Sequence, residues 1–226
     1  QKSSLEETLQ KSIAFARLTT ADENNVLPQN QPHQEVEGLY DASIRSVPME
    51  KKIALATELE KLALSKKGVT KSSGSGFGES EGEVFIANSN GLLKSYRSSG
   101  CSIGVSVVAE KEGQKNTGGE YCSRRYFGDL LSPEEIASEA ARKAVELIDP
   151  VMVKTQRASV IFDTDVAFSL LGGIIAAING ERVLQGASFL KTYLDKSFAS
   201  ALLTIVDDGL LAKGLASAPF DGEGVP

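Results

Sequence analysis

The chain has 226 residues, 41% of them hydrophobic and 24% charged, enough apolar content for an ordinary globular core without disulfide support. Thirty acidic against 24 basic side chains leave a formal charge of -6. That balance argues against a nucleic-acid or anionic-membrane partner, both of which need a basic face.

The rarest residues exclude the most. A single histidine, His33, and two cysteines, Cys101 and Cys122, are present. A catalytic zinc takes three protein ligands, mostly His, Cys and carboxylate, and a zinc protease helix offers a His pair. One histidine cannot supply that pair, and a Ser-His or Cys-His site would have to use His33 alone. Two cysteines do not make a disulfide framework, so both are read as reduced thiols of a cytosolic protein; one bridge between neighbouring strands is the alternative. No apolar run approaches a membrane span, and no secretory signal is visible at the start.

In chain order, Ser4–Leu18 predicts a helix with Leu5, Leu9, Ile13 and Ala16 on one face. Asn24 to Glu37 reads as an exposed loop, with His33 as a solvated loop residue. Ser46-Val47-Pro48 predicts the start of a second helix, Met49–Ser65, capped by Ser46 and burying Ile53, Ala56, Leu59 and Ala63. Lys66-Lys67-Gly68 ends it.

From Val69 to Phe127 the pattern is two-residue alternation with turn punctuation, an antiparallel sheet of about four strands. Glu83–Asn88 and Leu92–Arg97 flank the turn Asn88-Ser89-Asn90-Gly91. Ser102–Ala109 follows, then a turn over Gly113 to Gly119 leading into a strand over Glu120–Phe127. Gly74, Gly76 and Gly78 lack the GK[ST] ending and following helix of a phosphate loop. On an alternating strand Arg124 and Arg125 point to opposite faces, so they cannot form one clamp; each remains a candidate peptide or partner contact, with a solvated edge as the alternative.

Ser132-Pro133-Glu134-Glu135 is a capping box with proline at the first helical position, heading a helix that buries Ile136, Ala140, Ala144 and Leu147 and stops at Asp149-Pro150. Ser159–Phe162 is expected to be a short buried strand. Asp163 or Thr164 then caps a nearly all-apolar helix, Val166–Ile178, that lies in a core or against a partner. Phe189–Tyr193 reads as helix and Leu202–Val206 as strand. The ending Asp221-Gly222-Glu223-Gly224 is a turn that normally joins two elements, so the natural protein is expected to continue beyond Pro226. The fold class is α+β, an antiparallel sheet with packed helices, divided into 1–157 and 158–226. Of the paired acids, Asp163/Asp165 read as a helix cap, Asp207/Asp208 as a solvated turn, and Asp221/Glu223 as a structural turn or a contact in a peptide-binding chamber.

Val160-Ile161-Phe162-Asp163, Leu170-Leu171-Gly172, Ala177-Ile178-Asn179-Gly180, Ser188-Phe189-Leu190, Thr204-Ile205-Val206-Asp207-Asp208 and Ser217 to Val225 occur in an order that resembles the TldD/PmbA family. Its members, once called modulators of DNA gyrase, are regarded as intracellular metallopeptidases. The most specific piece is Phe220-Asp221-Gly222-Glu223-Gly224-Val225. In the TldD branch the long helix carries His-Glu-x-x-x-His, and a downstream cysteine completes the zinc site. That motif falls here on Gly172, Gly173 and Ala177, as in the PmbA branch, also called TldE. The resemblance implies a chain inactive alone and without a cofactor, zinc being held only by a TldD-like partner. It implies unfolded peptide as substrate, a two-fold assembly with that partner or as a homodimer, and a mainly-β C-terminal domain lying outside this sequence. The alternative is a homodimeric peptide- or ligand-binding protein without peptidase activity. An enzyme acting alone through carboxylates is the third reading.

Overall fold

The computed structural model describes residues 2–20 and 25–226. Helix α1 (Lys2–Ala16) forms as the spacing predicts, yet Leu5, Leu9 and Ile13 remain exposed and the expected stripe buries nothing among the described residues. Its support is local, including an ion pair of 2.7 Å between Lys11 and Glu7 at i, i+4. Residues 25–37 are irregular chain, as expected; Asn24 lies outside the described residues.

Helix α2 (Met49–Ser65) has Pro48, not Ser46, at its cap position. Ser46 closes a separate 3-10 turn, Ala42–Ser46, whose cap is Asp41 accepting from the Ser43 amide. The buried face is also rotated from the predicted one. Leu59 and Ala63 are buried as expected, but Lys52 takes the place of Ile53. The Lys52 stem is covered, and its ammonium pairs with Glu79 and lies 5.9 Å from the Phe77 ring centroid.

The sheet has three strands, not four: β1 (Val69–Ala87), β2 (Leu93–Lys111) and β3 (Gln114–Arg124), antiparallel in the order β1-β2-β3. The hairpin read at Asn88–Gly91 is the tip of two 19-residue strands. Asn88 holds this tip, its side-chain oxygen accepting from the amides of Asn90 (2.9 Å) and Leu92 (3.2 Å). Gly74, Gly76 and Gly78 sit inside β1. The second connection is a two-residue turn, Glu112-Gly113, with both residues at positive φ, so β3 begins at Gln114 where a longer loop was expected.

The core lies between this sheet and two helices. From β2, Cys101, Ile103, Val105, Val107 and Ala109 alternate inward and are buried. Against them pack α2 and α3 (Pro133–Val145), the latter headed by the expected capping box between Ser132 and Glu135. Ile136, Ala140 and Ala144 are buried as predicted, whereas Leu147 falls beyond the helix and is exposed. Alanines on α3 let the helix approach the sheet closely. A Cβ on Gly118 would lie 2.2 Å from the Ala144 nitrogen, so β3 admits only glycine there. Asn116 ties the same junction by donating to the carbonyls of Lys143 (3.2 Å) and Ala144 (2.9 Å) at the helix end.

By packing, the chain divides into one unit of residues 1–149 with 208–226 and a second of residues 150–207. The segment 208–226, grouped with the second part on sequence, therefore belongs structurally to the first. Within the second unit stand α4 (Thr164–Ile178), α5 (Gly180–Leu184) and a 3-10 turn at Lys191–Tyr193. The expected strands at Ser159–Phe162 and Leu202–Val206 do not form. Neither has a pairing partner among the described residues, and a lone extended segment leaves its backbone groups to water; Ile161 and Leu202 are each 97% exposed. Phe189–Tyr193 is helical only in its last three residues. No described helix is long and apolar enough to cross a membrane.

Candidate functional site

The positions singled out for metal chemistry lie on α4. Asp163 caps this helix, its side chain accepting from the Asp165 amide at 3.2 Å. Gly172 and Gly173 stand in its middle, and a Cβ on either would meet nothing within 4 Å. Ala177, one turn further on, is 6% exposed, and its carbonyl accepts from the Ser188 hydroxyl at 2.5 Å. Hydrogens and a methyl group provide neither a zinc ligand nor a general base. Among the described residues there is no group of three His, Cys, Asp or Glu that could hold a metal ion. The residues present on this helix do not fit zinc.

Helix α4 is nearly all apolar, but it is not buried as a core helix would be. Val166, Leu170, Ile175 and Ile178 are exposed, and Phe168 is 74% exposed. So continuous an apolar surface is characteristic of an interface.

The carboxylates serve the backbone. Asp208 accepts from the Leu210 amide at 3.0 Å, closing a turn, and Asp207 beside it is exposed. Asp221 accepts from the amides of Val225 and Glu223, both at 2.9 Å, while its own amide donates to the Val225 carbonyl. Those amide bonds, that of Val225 foremost, hold its carboxyl below the usual aspartate range. Glu223 is exposed on the outside of the turn.

This turn is docked on the tip of the β1/β2 hairpin. Gly224, at φ +88°, leaves 2.8 Å between a would-be Cβ and Leu92 Cδ1. Lys94, 5% exposed, donates from Nζ to the Gly224 carbonyl at 2.7 Å. Phe220 is buried edge-on to Tyr96 and His33, with centroids 5.2 and 5.4 Å apart. His33 is thus half-buried packing, not a solvated loop side chain.

The two arginines separate in function. Strand β3 ends at Arg124, so the alternation argument does not reach Arg125. Arg124 is exposed beside a cavity of about 300 Å³ that Glu79 and Cys101 also line. Arg125 is buried, and its guanidinium donates to the carbonyls of Ser99 (3.0 Å), Gly214 (3.0 and 3.2 Å) and Leu215 (2.7 Å). All these acceptors are fixed backbone, so Arg125 locks the tail to the sheet and is not offered to a peptide. Nothing in the sequence distinguished it from Arg124, because its acceptors lie 26, 89 and 90 positions away.

Cys101 and Cys122 are buried free thiols. Burial pushes the Cys101 thiol up to about 11, far from a reactive thiolate. Cys122 accepts from the Leu131 amide at 3.4 Å.

Residues 42–148 match the PmbA/TldA metallopeptidase central domain, and residues 155–226 match the PmbA/TldA metallopeptidase C-terminal domain. The chain belongs to the PmbA/TldD family. Metalloprotease PmbA of Escherichia coli O157:H7 is 32% identical over 96% of this chain and 49% of its own length. The Metalloprotease PmbA homolog of Haemophilus influenzae is 30% identical over 99% of this chain and 50% of its own. Among solved structures, one described as a candidate modulator of DNA gyrase from Bacteroides thetaiotaomicron superposes with a TM-score of 0.88 at 26% identity, covering 100% of this chain and 52% of that one. TldE from Thermococcus kodakarensis shares the fold, with a TM-score of 0.79 at 21% identity over 100% and 51% of the two chains. This PmbA/TldD chain therefore spans about half the length of the relatives it matches. The C-terminal domain match corrects one expectation: that domain does not lie wholly outside the sequence, since residues 155–226 belong to it.

Proposed function

We propose that this chain is part of a non-catalytic, PmbA/TldE-like subunit of an intracellular zinc metallopeptidase complex that acts on unfolded peptides. A TldD-like partner carries the metal; this subunit supplies wall and peptide-holding surface. The observation that carries the reading is the donor set of α4, where glycine, glycine and alanine occupy the positions of a His-Glu-x-x-x-His motif and no three-donor group exists among the described residues. The uncovered apolar surface of α4 supports a partner at that helix, and two free buried thiols accord with a reducing compartment.

Metal content and activity of the purified full-length protein test this together. Elemental analysis is expected to find no stoichiometric zinc, with cleavage of an unfolded peptide only when a His-Glu-x-x-x-His partner is added. Zinc near one per chain, with cleavage by the protein alone, would overturn the reading. Peptide binding without cleavage under either condition would favour the homodimeric binding protein instead.

A further inference from the structure

Two asparagines at the hairpin tip clasp the loop that precedes the sheet. Asn88 Nδ2 donates to the Pro28 carbonyl at 2.8 Å, and Asn90 Nδ2 donates to the Leu27 carbonyl at 2.9 Å. Leu27 and Pro28 belong to the irregular chain 25–37, which also brings His33 edge-on to Phe220 of the docked tail. Loop, tip and tail thus meet within one unit.

The two carboxamides differ in chemical durability. An asparagine side chain is open to attack by the main-chain nitrogen that follows it, and a following residue without Cβ leaves that nitrogen unhindered. Asn88 precedes Ser89, and its Oδ1 is fixed by the amides of Asn90 and Leu92. Asn90 is exposed and precedes Gly91, where a Cβ would meet nothing within 4 Å. The Gly91 amide is held by a 3.3 Å bond to the Asn88 carbonyl, the longest of those that close the tip. The second Asn-Gly pair of the sequence, Asn179-Gly180, is better protected. Asn179 Oδ1 accepts from the Arg182 amide at 3.2 Å as the cap of α5, and ring closure there would break the cap.

We propose that Asn90 is a deamidation site and that its conversion opens the clasp. The Gly91 nitrogen bonds to Asn90 Cγ and loses its proton, the Cγ–Nδ2 bond breaks, and ammonia leaves. Water then opens the resulting succinimide to aspartate or isoaspartate. One water is consumed for each ammonia released, and nothing is oxidised or reduced. The product is a carboxylate, which accepts hydrogen bonds and donates none. It sets acceptor against acceptor at the Leu27 carbonyl, and the chain at 27–28 is left to the Asn88 bond.

The test ages the full-length protein at mildly alkaline pH and maps its peptides by mass spectrometry, with labelling by isoaspartyl methyltransferase as a second readout. Loop release is followed by glutamyl endopeptidase cleavage after the exposed Glu35, a rate that tracks the opened fraction. Conversion is expected at Asn90 while Asn179 keeps its amide, and aged protein should be cut about tenfold faster than fresh. Asn90→Asp should be cut at the aged rate from the start; the position is exposed, and a circular dichroism melt confirms folding. An intact Asn90, or earlier conversion of Asn179, overturns the site. Conversion of Asn90 without faster cleavage overturns the opening of the clasp. A rate that keeps rising when Asn90→Asp is aged places the cause elsewhere and overturns it too.

Discussion

Lys94 donates from its ammonium to the main-chain carbonyl of Gly224 at 2.7 Å, a bond between the start of strand β2 and a tail 130 positions later. The ammonium also stands 5.6 Å from the Phe220 ring centroid. A buried cation thus closes the most family-specific stretch of the chain onto the hairpin tip. The Phe-Asp-Gly-Glu-Gly-Val sequence is explained as a docking turn: Phe220 fills, Asp221 caps, and Gly224 permits the contact.

Gly224→Ala places a methyl group where φ is +88° and Leu92 is 2.8 Å away. The expected cost is about 1–3 kcal/mol, from left-handed strain and the clash together. Hydrogen exchange should show lost protection over 217–226 with α3 unchanged. Lys94→Met should act on the same amides, since it leaves the Gly224 carbonyl unpaired.

Acid should loosen the same turn. Amide bonds lower the Asp221 pKa in the folded chain, so its contribution is complete above the unfolded aspartate value and is lost as pH falls below about 4. Hydrogen exchange against pH should show a step there, confined to 221–225. The step should vanish in Asp221→Asn, which accepts hydrogen bonds without titrating.

Gly118→Ala is expected to be the most damaging methyl addition in the sheet unit. Its Cβ would fall 2.2 Å from the Ala144 nitrogen and 2.4 Å from the Ala140 oxygen, both backbone atoms of α3 that cannot rotate aside. A loss of about 3 kcal/mol is anticipated, read as a lower urea midpoint. Unchanged stability would mean that α3 sits further from β3 than described.

Both thiols should be silent in the native protein. With burial holding the Cys101 thiol near 11 and Cys122 equally enclosed, a disulfide exchange reagent at pH 7.5 should label neither until denaturant is added. Rapid labelling of one thiol in the folded state would show that β2 or β3 opens locally.

The glycines of α4 separate a helix defect from a contact surface. Open space surrounds both, so Gly172→Ala and Gly173→Ala should each stabilise the helix by about 1 kcal/mol in the subunit alone. If a partner backbone approaches there, the same changes weaken association with it, measured by sedimentation. Stronger helix with undiminished association would remove the glycines from the interface.

Much of the first unit could be read locally. The capping box of α3, the Asn88 turn and the alternation of β2 depend on side chains reaching backbone within four residues, or on period-two burial, and all appear where predicted. Strand length was not legible: Gly74, Gly76 and Gly78, weighed on sequence only as a phosphate loop, are paired strand residues, because β2 supplies ladder partners that no local rule sees. The face of α2 was misread by one position, since Lys52 finds Glu79 on β1 and a buried lysine is favourable only once that partner arrives.

The sequence by itself determined the α+β class, through the order of its helical and two-residue periodicities, and the missing metal donors at 172, 173 and 177 and the absence of a His pair, through which atoms the chain contains. The tertiary structure alone decided the roles of Arg125, His33 and Lys94. Each depends on loops returning from distant positions. A hydrogen bond or ring contact requires placement to within a few tenths of an ångström, which residue type and spacing do not encode.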